Sequence, residues 1–277
     1  MDVLLRRRLQ RPWRSARSRV TDCMKRQIEA EWLDTLPAQD PGAVGSRRDL
    51  QRLNAWMGSP RRLAGLLRSR LEPTAPCHIA DLGGGDGRFF LRVARLLPLS
   101  ASQVTIVDRL NIVSRQTKDG LARLGWKSRA VQTDVFTWVH QQNGRVWDVM
   151  AANLFLHHFT EAQLSKLFAD ASKLSRMFVA LEPRRSVLAL VFGRCVRLIG
   201  CNHVTRHDAP ASVRAGFSGN ELTRLWPSDR NWALEEHQAG WFGHMFVARW
   251  KNGECESQAR GQRPRGFDKK ALVSVPP

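Results

Sequence analysis

Asp81-Leu82-Gly83-Gly84-Gly85-Asp86-Gly87 is the stretch on which the fold of this chain is decided. It closes a short apolar run, His78–Leu82, that reads as a strand. It opens onto Phe89, Phe90, Val93, Leu96 and Leu97, which recur at helical spacing. Glycines between a strand and a helix let the backbone turn sharply and let a ligand reach the helix N-terminus without meeting a Cβ. A dinucleotide loop needs G-x-G-x-x-G, and that register would put Arg88 at the third glycine, where helix and strand must pack closely. The spacing present is Gly83-x-Gly85-x-Gly87, with Asp81 ahead of it.

Outward from this turn the chain alternates between strand and helix. Upstream, Leu50, Leu53 and Met57 mark one helix, and Ser59-Pro60 caps a second that carries Leu63, Leu66, Leu67 and Leu71. Pro37–Gly45 reads as a linker. Downstream, Val104–Val107 is a strand ending at Asp108, Asn111–Leu124 a helical stretch, and Ala130–Thr133 a strand leading to Asp134. Trp147–Phe155 and Met177–Leu181 are two further strands, separated by a helix that opens on the capping box Thr160-Glu-Ala-Gln163. Val187–Ile199 reads as an amphipathic helix, and Ser218-Gly-Asn-Glu221 opens a short one. Trp232–Gln238 and His244–Trp250 are strands joined by a glycine turn too tight for a parallel crossover. The expectation is an α/β fold: a doubly wound, mostly parallel sheet of seven strands with one antiparallel strand at its edge, preceded by helices. We divide the chain into a basic arm and linker (1–48), a catalytic domain with two lid helices (49–250) and a disordered basic tail (251–277).

Composition bounds the function. With 277 residues, 43% hydrophobic and 25% charged, the chain has ordinary globular make-up. No apolar stretch reaches the roughly 18 residues of a membrane helix. Val187–Ile199 comes nearest and carries Arg194 and Arg197. Five cysteines, an odd number with no Cys-x-x-Cys pair, fit neither a zinc ribbon nor a disulfide scaffold; they point to a reducing compartment, the cytoplasm. The net charge of +19 is concentrated at the ends but leaves the body basic, which favours encounter with anions.

The acidic residue, glycine spacing and strand–turn–helix setting resemble the first motif of class I S-adenosylmethionine-dependent methyltransferases. That resemblance implies S-adenosyl-L-methionine as cofactor, held by Asp81, Gly83, Gly85 and Gly87. It assigns Asp108 to the ribose hydroxyls, Asp134 to the neighbourhood of the adenine amino group, and Asn153 to the methionine portion. The alternative for Asp108 is a strand-terminal turn residue, and for Asp134 a helix cap or surface residue.

Asn153-Leu-Phe-Leu-His157-His158 lacks the Asn/Asp-Pro-Pro-aromatic motif of base-nitrogen methyltransferases. It resembles instead the Leu-His-Asp-Trp run of small-molecule O-methyltransferases, whose histidine deprotonates a phenol. His157 aligns with that base, His158 stands where the aspartate would, and both are candidate catalytic residues. No metal is implied. Over residues 31–250 the chain is similar to UbiE-like methyltransferases, including members associated with type III polyketide synthases. The features are Glu31-Trp-Leu-Asp34, Leu53-Asn54, the His157-His158 run, Glu182-Pro-Arg-Arg185 and Asp208–Phe217. The implied acceptor is phenolic, quinone-like or a polyketide, possibly lipid-bearing, with at most peripheral membrane contact. RNA methylation, drawn from the basic charge, and a non-catalytic binding protein of the same fold stand as alternatives.

Overall fold

The computed structural model describes residues 24–251 except 73–74, 98, 100–101, 143 and 230. Most of the basic arm and all but the first residue of the tail therefore lie outside the described residues.

The chain begins with α1 (Trp32–Thr35), α2 (Pro41–Trp56) and α3 (Ser59–Arg70). The alternating body follows: β1 (His78–Leu82), α4 (Arg88–Ala94), β2 (Gln103–Asp108), α5 (Arg115–Arg123), β3 (Lys127–Gln132), α6 (Val135–His140) and β4 (Val149–Asn153). A 3₁₀ turn, Leu156–His158, leads to α7 (Glu161–Leu174) and β5 (Met177–Pro183). Then come α8 (Val187–Cys195), a second 3₁₀ turn (Val196–Ile199), α9 (His203–Ala215), α10 (Glu221–Leu225), β6 (Trp232–Ala239) and β7 (Gly243–Trp250).

The seven strands form one sheet in the order β3-β2-β1-β4-β5-β7-β6. The pairs from β3 to β5 are parallel, while β7 pairs antiparallel with both β5 and β6. The sheet is thus mostly parallel, as expected, but the reversed strand lies one place in from the edge. The reason is apolarity. β7 is buried along most of its length and takes the inner place, whereas β6, with the polar run Glu235-Glu236-His237-Gln238, is less buried and takes the edge.

Alternate residues feed the two faces. In β1, Ile79 joins the core under α3 and α4, while Ala80 and Leu82 join the core under α6 and α7. A smaller cluster of Leu53, Val196 and Cys201 ties α2 to the segment after α8. Near neighbours β1 and β4 end at the same rim, where strand order reverses and ligands bind in open α/β sheets.

One reading of the N-terminal half is corrected. The linker at Pro37–Gly45 is half helix: Asp40 accepts hydrogen bonds from the Gly42 and Ala43 N–H groups, and Pro41 sits at the first helical position. In the C-terminal half the run around Asp208 forms α9 with Pro210 within it. After β5, buried Arg185 pairs with Glu221 and donates to the Gly216 carbonyl.

Candidate functional site

A cavity of about 940 Å³ opens at this rim, lined by the glycine turn, the ends of β2, β4 and β5, and residues of α1, α2, α8 and α9. Its volume lies at the upper end of small-ligand sites, which suits two ligands side by side.

At one end, Gly83, Gly85 and Gly87 have φ of 66°, 55° and 72°, the left-handed region that glycine enters at no steric cost. A Cβ on Gly83 would lie 2.1 Å from the Phe155 ring, whereas one on Gly85 would meet nothing within 4 Å. The turn is therefore packed behind and open in front. Asp108 accepts hydrogen bonds from the Gly85 N–H at 2.8 Å and the Leu110 N–H at 2.8 Å, and lines the cavity. Burial raises its pKa, with the two N–H donors opposing. Asp81 is more extreme. Burial first and the Asp108 charge second push it up to about 7, and its Oδ2 has no hydrogen-bond partner. Asn153 at the end of β4 likewise holds a buried Oδ1 without a partner, while its amide donates a long 3.5 Å bond to Asn54 of α2. Both residues line the cavity, where a ligand with donors would satisfy these oxygens.

Asp134 caps α6, accepting from the Phe136 N–H at 2.8 Å, and is exposed at the cavity wall. Arg88 is the first residue of α4, so the dinucleotide register is absent.

At the other end the two histidines sit on the 3₁₀ turn. Leu154 enters it at φ 52°, a left-handed conformation that costs a non-glycine residue on the order of 1 kcal/mol. Glu182, fully buried at the end of β5, holds the turn: its Oε1 accepts the N–H groups of Phe155 and Leu156, and its Oε2 lies 2.7 Å from His157 Nδ1. Glu31 stands 3.3 Å from His157 Nε2. Burial opposes charge on this ring, but hydrogen bonds to Glu182 and Glu31 outweigh it and raise the pKa to about 10. Both ring nitrogens of His157 thus face carboxylates, an environment that favours the protonated ring over one with a nitrogen open to take a proton. His158 differs. Burial and the His157 charge lower its pKa, and its Nδ1 faces Asp34 at 3.2 Å. The neutral tautomer that donates from Nδ1 to Asp34 leaves Nε2 as an acceptor.

Glu31, His157 and His158 bring donor atoms within 4.8 Å of one another. They would hold a metal ion only after His157 gave up the proton that its two carboxylates retain.

Glu31 and Asp34 were seen in the sequence only as marks of resemblance. Their place comes from α9, where Asp208 accepts the Trp32 and Leu33 N–H groups at 2.9 and 3.0 Å, Ser212 bonds Glu31, and His207 stacks on Trp32 at 3.9 Å. Gln51 of α2 similarly reaches Asp86 in the glycine turn at 2.6 Å. No spacing rule announces contacts between segments this far apart in the chain.

Residues 79–177, from β1 to the start of β5, match the family described as "Methyltransferase domain". No curated protein matches the chain in sequence. Among solved structures, the plantazolicin methyltransferase BpumL in complex with SAH superposes with a TM-score of 0.57 at 11% identity, over 78% of this chain and 92% of that one. A putative O-methyltransferase from Nostoc punctiforme PCC 73102 superposes with a TM-score of 0.51 at 14% identity, over 74% of this chain and 60% of that one. At such identities the likeness is one of fold. Residues 79–177 thus match a methyltransferase-domain model, and the chain as a whole shares the fold of these structures.

Proposed function

We propose that the chain is an S-adenosylmethionine-dependent methyltransferase that methylates a small, largely apolar aromatic acceptor at oxygen, with His158 as base. The supporting observation is that a single cavity is lined by the glycine turn and Asp108 and also by the histidine pair. The cofactor end fits a charged nucleoside. The open face of Gly85 admits it, Asp108 has acceptor capacity for sugar hydroxyls, and the orphaned oxygens of Asp81 and Asn153 accept donors from its amino-acid portion. When bound, the cofactor supplies an electrophilic methyl on a sulfonium. Neighbours of this fold, BpumL among them, hold SAH.

Met57, Phe159, Phe192 and Phe242 give the cavity an apolar lining beyond the glycine turn. An aromatic ring seated there places a hydroxyl by His158, whose Nε2 accepts its proton while Nδ1–H donates to Asp34. A phenol of pKa ~10 keeps its proton at neutral pH, so a neutral histidine within reach adds rate. Alignment of the acceptor oxygen along the transfer axis supplies most of the remainder. Glu182 and Glu31 hold His157, and through it the turn that carries His158.

Titration calorimetry with S-adenosylhomocysteine tests the cofactor assignment. Binding is expected, and Asp108→Ala should weaken it tenfold or more, since a hydrogen bond to a charged group contributes about 1.5–3 kcal/mol. Absence of heat at millimolar ligand would overturn it. Mass spectrometry of extracts from cells with and without the protein then seeks a metabolite heavier by one CH₂. Finding the methyl in RNA instead would displace the small-molecule acceptor.

A further inference from the structure

The outer face of α8 and the 3₁₀ turn after it carries Val187, Leu188, Val191, Leu198 and Ile199, exposed at 58, 52, 51, 77 and 47%. A helix lying on a soluble body normally turns polar residues outward. Here the outward side is as apolar as the inward one, which carries Ala189, Gly193 and Val196. The face extends beyond α8. Phe192 stacks on Phe242 at 4.4 Å and on Trp56 at 5.0 Å, and Phe242 meets Trp241 at 6.4 Å. Trp56 and Trp241 are themselves 64 and 72% exposed. Met57, Phe192, Val196 and Phe242 also line the large cavity, so this apolar surface is continuous with the cavity wall.

The charge around it has one sign. Across residues 47–71, 184–207 and 237–251, the segments that build this face, Asp49 is the sole acidic residue. It is buried, accepting from the Asn202 N–H and the Thr205 hydroxyl and pairing with Arg52 at 3.1 Å. Arg52, Arg62, Arg194 and Arg197 are exposed in the same segments, and Arg52 reaches the Ile199 carbonyl at 3.0 Å. An apolar patch with exposed tryptophans and a fringe of arginines has the make-up of a surface that lies in the interface of an anionic bilayer. A nucleic acid would use the arginines but gains nothing from exposed leucine and valine on a helix.

We propose that this face docks the enzyme onto anionic membrane, with α8 lying in the headgroup layer and the cavity mouth facing the lipid, so that an acceptor enters from the bilayer. The proposal goes beyond the methyl-transfer reading and can fail separately from it, because vesicle binding requires no turnover.

Cosedimentation of the full chain with vesicles of phosphatidylglycerol and phosphatidylcholine, against phosphatidylcholine alone, tests it. The protein should pellet with the anionic vesicles and be released by salt. Arg194→Gln and Arg197→Gln should each cost about fivefold in partitioning. Leu188→Asp with Leu198→Asp, at positions already exposed in the fold, should abolish pelleting while leaving S-adenosylhomocysteine binding unchanged. Failure to pellet with anionic vesicles overturns the proposal. So does pelleting that survives the leucine pair, which would place the contact elsewhere, for instance on residues 1–23. Retention of RNA in preference to vesicles, or self-association that the leucine pair abolishes without vesicle binding, would assign the face to another occupant.

Discussion

Between Glu182 and Glu31 the His157 imidazole carries two N–H groups, and both are taken. A group whose folded pKa is raised stabilises the fold fully below its unfolded pKa and loses that contribution as pH climbs to the folded value. With 6.5 as the ordinary value and about 10 in the fold, the melting temperature should fall as pH rises across that window. A flat profile would refute the ion-paired ring. His157→Gln should flatten it while costing about 3–5 kcal/mol, since two buried carboxylates lose their cation. His158 has the opposite sign: its pKa is lowered, so the ring is neutral at pH 7 and remains so somewhat below 6.5. The acidic limb of kcat/KM should therefore lie under pH 6.5. His158→Gln should lower kcat by about 10²–10⁴ with cofactor affinity kept, a split that stopped-time methyl-transfer assays can read. The sequence shows two adjacent histidines as equals. Only carboxylates contributed by distant segments tell them apart.

The 3₁₀ turn bearing these histidines is followed by α7, whose capping box is complete: the Gln163 N–H donates to the Thr160 hydroxyl, and Gln163 Oε1 accepts the Thr160 N–H at 2.9 Å. Thr160→Ala should cost about 1 kcal/mol in urea unfolding, with little change in S-adenosylhomocysteine affinity. Loss of affinity comparable to that of Asp108→Ala would mean the cap also shapes the site. This element was legible because a cap is a local device, with partners three residues apart. So were β1 and the glycine turn, where period and φ preference act within one short stretch. α6 and α9 were not. Val135–His140 is too short to show a period, and Pro210 masks α9, whose position is set by its contacts with α2 and α8 rather than by propensity. The linker reading of Pro37–Gly45 failed for a related reason. Proline and glycine signal turns, but behind an Asp cap proline starts a helix as readily.

At the scale of the whole molecule, the cavity joins segments at both ends of the described chain, so a ligand that fills it should brace all of them. S-adenosylhomocysteine at a hundred times its Kd should stabilise the fold by about 2.7 kcal/mol in denaturant titration. Asp108→Ala at the same concentration should lose most of that gain, and equal stabilisation in the variant would move the sugar site elsewhere. By itself, the amino-acid sequence determined the alternation of strand and helix, the glycine turn at the rim of β1, and the carboxylate that ends β2. Each follows from backbone geometry or side-chain period within a few consecutive residues. The tertiary structure alone decided that Glu31 and Asp34 reach the histidines, that His157 lies between two carboxylates, that β7 lies inside β6, and that α8 turns an apolar face outward. Those outcomes depend on burial and Coulomb interactions between residues more than a hundred positions apart for the Glu31 and Asp34 contacts, or on which of two strands buries more. No local pattern encodes either.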